Sequence, residues 1–158
     1  MNRRSRLNHQ PIIKRPKLIL KDNKKIILWV IVNLEVWDPE LAQPRNILPP
    51  PMNVPMLPDL PNWAWHEYGM RVGFWRLLNT LKKRNVCSTL ALNATVIDHY
   101  PETVEAAMEE KWEPLGHGYI QRPMHKVDNE FVDIKSAIEK INNFTKQEII
   151  GWESPGLT

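Results

Sequence analysis

Two histidines, a glutamine and an arginine fall within nine positions of this chain, at His117, Gln121, Arg122 and His125. The imidazoles offer nitrogen ligands or general acid–base groups, Gln121 an amide, and Arg122 a permanent cation. Gly116 and Gly118 frame His117, so the backbone there can approach a ligand closely. The plain alternative is a surface loop with incidental histidines. Other groups of this kind stand elsewhere, each just after an apolar run: Glu35, Asn93 and Glu153.

The elements that would position them alternate regularly. Lys25–Leu34 is a continuous Ile/Leu/Val/Trp run, as in strands covered on both faces of a parallel sheet. Residues 39–61 carry eight of the fourteen prolines and can form neither helix nor inner strand, so they read as an extended, stiff loop. The aromatic cluster that closes this loop, Asn62–Tyr68, reads either as an ordered lid or as packing over a barrel mouth. Gly69–Arg84 is helical in pattern, with Phe74, Leu77, Leu78 and Leu81 on one face. Val86–Leu92 is a second strand, and Pro101 opens a helix that runs to about Lys111. Trp112–Leu115 is a brief third strand. Asp128 is placed to cap a helix with a Phe131/Ile134/Ile138/Ile141 stripe, closed by Asn142–Asn143. Ile149–Trp152 is a fourth short strand. Strand–helix repetition of this kind predicts an α/β fold with a parallel sheet and crossover helices, whose sites lie at the carboxyl ends of the strands. A full barrel of this type needs about 250 residues, so the 158 here predict about four βα units, either an open sheet or the front of a longer protein.

The charge is unevenly spread. Residues 1–25 hold nine Lys/Arg against Asp22, a net of +8, while the remainder carries 12 basic and 17 acidic residues, a net of −5. Two parts follow: a basic N-terminal arm over 1–25 and a single domain over 26–158. The arm has no interleaved aromatics and no binding motif, so it reads as a solvated leader and not as a nucleic-acid contact. The apolar run near residue 26 is too short to span a bilayer and lacks a signal-cleavage pattern, which leads us to expect a cytoplasmic protein without a membrane partner. A lone cysteine, Cys87, rules out an internal disulfide framework and reads as a core thiol.

Four segments together carry a family resemblance. They are Val32–Glu35, the long block Pro61–Arg76 (PNWAWHEYGMRVGFWR), the turn Gly116–Tyr119 (GHGY), and Gly151–Gly156 (GWESPG). In these the chain resembles the polysaccharide deacetylase (NodB-homology) superfamily, and within it the allantoinase-like branch. The resemblance implies the N-terminal part of a distorted (β/α) barrel, with the chain incomplete at its C-terminus. It also implies hydrolysis of carbon–nitrogen bonds other than peptide bonds, in an N-acetyl sugar or a small cyclic amide. In metal-dependent members an aspartate and a His-x-x-x-His pair hold a divalent ion. Here Glu35 stands in the first motif, His117 matches the first histidine, Gln121 occupies the place of the second, and Glu153 stands at an arginine position.

The site that resemblance implies uses Glu35, His117 and Glu153 as catalytic groups. Glu35 or Glu153 would be the base, and His117 the acid or the water ligand. Gln121, Arg122 or a backbone N–H near Gly118 would face the oxyanion. Trp63, Trp65, Glu67, Tyr68 and Arg71 join Gln121 and Arg122 as substrate-binding candidates. The cofactor is either none or a divalent metal, held through His117 and His125. Plain readings stand beside these: Glu35 paired with Arg71 or Arg76, and His125 as a surface histidine. The expected partner is a small-molecule or carbohydrate substrate, with assembly into a homo-oligomer left open. A non-catalytic binding module, or an inactive fragment of a longer enzyme, is the competing reading.

Overall fold

In the first strand the side chains alternate between the two faces of the sheet, as a strand requires: Val32 and Leu34 are buried and Asn33 between them is exposed. The computed structural model describes residues 9–41, 47–54 and 56–157; part of the basic arm and part of the proline-rich loop lie outside these. Strand β1 is Ile31–Leu34, β2 is Thr89–Leu92 and β3 is Glu113–Gly116. They pair in parallel in the order β1-β2-β3, and a parallel bridge from Gly116 to Trp152 adds the start of a fourth position. The order follows the chain without reversal.

Helices supply every crossover. Between β1 and β2 run α1 (Leu60–Tyr68), a π-helical turn (Gly69–Gly73) and α2 (Phe74–Lys82). Short α3 (Val96–His99) and α4 (Pro101–Glu109) link β2 to β3, and α5 (Glu130–Thr145) follows β3. The central strand β2 is buried along its length. Leu90, Leu92, Val96, Val104, Trp112 and Ile141 are each at most 2% exposed and fill the space between sheet and helices. No helix among the described residues is long and apolar enough to cross a membrane.

Several expectations need correction. The first strand begins at Ile31, not Lys25, because β1 is an edge strand and the run before it has no second neighbour to cover it. Ile26, Ile27, Leu28 and Trp29 are exposed. The second begins at Thr89. The aromatic cluster Asn62–Tyr68 is helix and not loop. Asp59 caps α1 by accepting from the Asn62 N–H at 3.2 Å, and Pro61 sits in the first turn, where its missing N–H costs nothing. The buried Asn62 side chain then exchanges hydrogen bonds with the backbone of Leu48, at 2.9 and 3.0 Å, and ties the proline-rich loop to the helix. Asn129, not Asp128, caps α5. That helix runs past the Asn pair to Thr145 and ends at a left-handed Lys146. Its buried face is Ala137 and Ile141, and Phe131 points to solvent at 75% exposure. Cys87 is exposed.

Candidate active site

The register of the sheet sets the site. Leu34, Leu92 and Gly116 form the last paired row across β1, β2 and β3, and Trp152 bridges onto Gly116. One residue further on stand Glu35, Asn93, His117 and Glu153. Backbone bonds extend the ladder to this row: Asn93 N–H to Leu34 O, His117 N–H to Leu92 O and Glu153 N–H to Gly116 O, at 3.1, 3.0 and 2.9 Å. Four polar residues thus leave four successive positions at one level on the carboxyl edge.

His117 is the centre of the row and only 3% exposed. Its Nδ1 lies 2.7 Å from the Glu153 carbonyl oxygen, which can only accept, so Nδ1 carries a proton. Its Nε2 lies 3.2 Å from Glu35 Oε1. The second oxygen of Glu35 accepts from the Trp37 indole at 2.8 Å, and Asn33 Nδ2 approaches Oε1 at 3.4 Å. Burial, the largest influence, pushes the Glu35 carboxyl upward. The bonds from His117 and Trp37, together with the positive charge of His117, outweigh it and hold the carboxyl below its ordinary value. Burial likewise pushes His117 down, and the bond to Glu35, the Glu153 carbonyl and the two carboxylates outweigh it and raise the imidazole. The two directions agree: each group favours the charged form of the other, and in that charged pair both ring nitrogens donate.

Glu153 also brings its carboxylate near. Oε2 is 4.0 Å from Nδ1, too far for a hydrogen bond, and this oxygen is buried without a hydrogen-bond partner among the described residues. Two hollows flank the row. Glu35, Trp37 and His66 border one of about 320 Å³, and Glu153, Trp152, Trp29 and Leu115 border another of about 550 Å³.

Close backbone approaches hold the loop after β3. A Cβ on Gly116 would lie 2.5 Å from Trp152 Cε3, so only glycine lets the indole rest on the strand. Gly118 has φ +83°, a left-handed conformation that favours glycine, and a Cβ there would also meet Pro155 at 2.7 Å. The loop then returns past β2. Ala94 N–H donates to Gly118 O, Thr95 N–H to Tyr119 O, and Tyr119 N–H to the Asp133 carboxylate on α5, at 3.0, 3.0 and 3.1 Å.

The remaining candidates divide. Gln121 is buried, and its Oε1 accepts from Asn93 at 2.9 Å, which places it beside the row. Arg122 is half-buried. Trp63, Trp65, Glu67, Tyr68 and Arg71 lie on α1 and the π-turn, and no hydrogen bond or ion pair joins them to Glu35, His117 or Glu153 among the described residues. Glu67 accepts from the Tyr100 hydroxyl and pairs with Arg71 at 3.3 Å, while Tyr68 accepts from Arg76 at 2.9 Å. Neither arginine therefore pairs with Glu35. His125 is exposed on the turn Met124–Lys126, away from any ligand cluster. The donor set does not suit a divalent ion: His117 Nδ1 is bonded to the Glu153 carbonyl, Nε2 faces Glu35, and no three His, Cys, Asp or Glu side chains gather as ligands among the described residues. Trp37 and His66, stacked with ring centroids 6.3 Å apart behind Glu35, were not among the site candidates read from the sequence. Only the short spacing from Glu35 to Trp37 hinted at the former.

Comparison with solved structures bears on the fold that carries this edge. A probable polysaccharide deacetylase from Pseudomonas aeruginosa PAO1 superposes with a TM-score of 0.65 over 87% of this chain at 22% identity. The chain carries part of the polysaccharide deacetylase fold. Puue allantoinase shares it with a TM-score of 0.59 over 63% of the chain at 26% identity. A protein from Mycobacterium smegmatis assigned to the deacetylases does so at 0.56 over 61% and 23% identity. The chain spans 33%, 53% and 35% of the allantoinase, Pseudomonas and Mycobacterium chains, respectively. No family model matches the sequence. No curated protein matches it either. The resemblance of this deacetylase-fold chain to deacetylases and allantoinase, first legible in the block Pro61–Arg76 together with the shorter segments Val32–Glu35, Gly116–Tyr119 and Gly151–Gly156, is thus one of structure too.

Proposed function

We propose that this chain is the site-bearing front part of a distorted (β/α) barrel hydrolase, acting on a non-peptide carbon–nitrogen bond of an N-acetyl sugar or a small cyclic amide. The contact that carries the proposal is the 3.2 Å approach of the Glu35 carboxylate to the buried His117 imidazole, an arrangement that favours the charged form of each. Its partners support opposite roles for the two groups: an ionised carboxylate to take a proton and an imidazolium to give one. The unreversed strand order supports a barrel over a doubly wound sheet, whose order reverses at a switch point.

In this reading Glu35 removes a proton from water as its oxygen adds to the carbonyl carbon. The Gln121 NH2 group, turned away from Asn93 because its Oε1 is already engaged, donates to the developing oxyanion. His117 then passes its Nε2 proton to the departing nitrogen as the C–N bond breaks. No step uses a metal ion. Hydrolysis of N-acetylated sugars and cyclic ureides, followed by amine or acid release, tests this. Glu35→Gln and His117→Ala, each shown folded by circular dichroism, should lower it by about 10²–10⁴-fold.

A further inference from the structure

We propose that Asn93 is the positioning residue of this site, a single buried amide that sets the backbone of both proton-transfer loops. Asn93 ends β2, the strand between those that carry Glu35 and His117, and is fully buried. Its Oδ1 accepts from the Val36 N–H, the residue after Glu35, at 3.1 Å. Its Nδ2 donates to the His117 carbonyl oxygen and to Gln121 Oε1, the latter at 2.9 Å. These partners fix the orientation of the amide, since the Val36 N–H can only donate and the His117 carbonyl can only accept.

The need for such a group follows from sheet geometry. Strands two apart are separated by roughly 9–10 Å, yet Glu35 and His117 approach to 3.2 Å. Both side chains must lean across β2 to meet, and Asn93 lies in the same row between them. Neither an apolar residue nor an ionised aspartate satisfies the three contacts. A leucine leaves an N–H and two acceptor oxygens unpaired. An ionised aspartate keeps the bond to Val36 and loses both donations, so it faces the His117 carbonyl and Gln121 Oε1 with like charge.

The consequence for turnover rests on the hydrolase reading, but the positioning itself can be read without substrate. In protein with 15N-labelled histidine, the His117 Nδ1–H bonded to the Glu153 carbonyl should give a downfield, slowly exchanging ring resonance. Asn93→Asp and Asn93→Ala should broaden or lose that resonance and shift the His117 ring nitrogens. Gln121→Ala, which leaves the bond to the His117 carbonyl, should keep it. Asn62→Ala removes a buried amide elsewhere and should leave the His117 ring signals in place, which separates positioning from general destabilisation. Should Asn93→Ala fail to fold, the isosteric Asn93→Asp decides. If the wild-type chain hydrolyses substrate, Asn93→Asp should lower kcat by on the order of 10²-fold, as misplaced groups do, with KM little changed. Unchanged His117 ring signals in a folded Asn93→Asp protein would overturn the proposal. Displaced ring signals in a chain without hydrolysis would count against the hydrolase reading alone.

Discussion

The Glu35 carboxylate and the His117 imidazole stand 3.2 Å apart although β2 lies between their strands. A surface pair at this distance would contribute little. This one has His117 almost wholly buried, with every ring nitrogen and both Glu35 oxygens engaged. Removing one partner leaves the other with an uncompensated buried charge, and the predictions below follow from that.

Glu35→Gln keeps the shape of the side chain and can still accept from Trp37, but it removes the base. We expect the hydrolysis rate to fall by about 10²–10⁴-fold, the usual contribution of general acid–base catalysis, with the far-ultraviolet spectrum unchanged. Steady-state kinetics of wild type and variant on the same substrate measures it.

The pH dependence has a definite sign on each side. Glu35 is held below its ordinary 4.5, so its contribution to stability is complete above that pH and is lost as pH falls through its lowered folded value. His117 is held above 6.5, so its contribution is complete below 6.5 and is lost as pH rises through its raised folded value. The pair therefore stabilises the fold most between those limits. Urea midpoints measured across the pH range should form a plateau there that the double variant Glu35→Gln/His117→Ala flattens. The hydrolysis profile should be bell-shaped with its limbs outside 4.5 and 6.5, and its two values belong to the pair and not to either residue.

Gly116→Ala should destabilise by about 1–3 kcal/mol, because the added methyl collides with the Trp152 ring and displaces the segment that carries Glu153. Gly69→Ala is the matched control. Nothing lies within 4 Å of its Cβ position, and the stability change there should stay within about 1 kcal/mol. Thermal unfolding of the two variants compares them directly.

Hydrolysis should persist after exhaustive chelation. With His117 Nδ1 bonded to the Glu153 carbonyl, Nε2 facing Glu35 and His125 on the surface, no three His, Cys, Asp or Glu side chains gather as ligands among the described residues. Elemental analysis together with activity before and after EDTA checks this.

The placement of the row was legible in the sequence because it depends on local pattern. Apolar runs ending at Leu34, Leu92 and Leu115 predict where polar residues emerge, and parallel pairing brings those ends to one edge. Contacts set by tertiary geometry were harder to read. The helix at Leu60 was hidden by prolines, since Pro61 inside a first turn and Pro58 in a loop look alike until the Asp59 cap is identified. Ile26–Trp29 reads as buried from composition alone, yet it lies ahead of the paired residues of β1 and is exposed. Asn93 was visible as a strand-end polar group, but its three partners come from segments 57, 24 and 28 residues away in the chain. Arg71 looked available for Glu35 and is instead paired with Glu67, one helical turn away.

The most direct test is a comparison of wild-type chain with Glu35→Gln and His117→Ala on N-acetyl sugar and cyclic ureide substrates, with chelator present throughout. We predict measurable C–N cleavage by the wild type and its loss in both variants while they stay folded. Cleavage that survives both substitutions, or that appears only when a divalent metal is added, would contradict the assignment of the Glu35–His117 pair as the chemical centre.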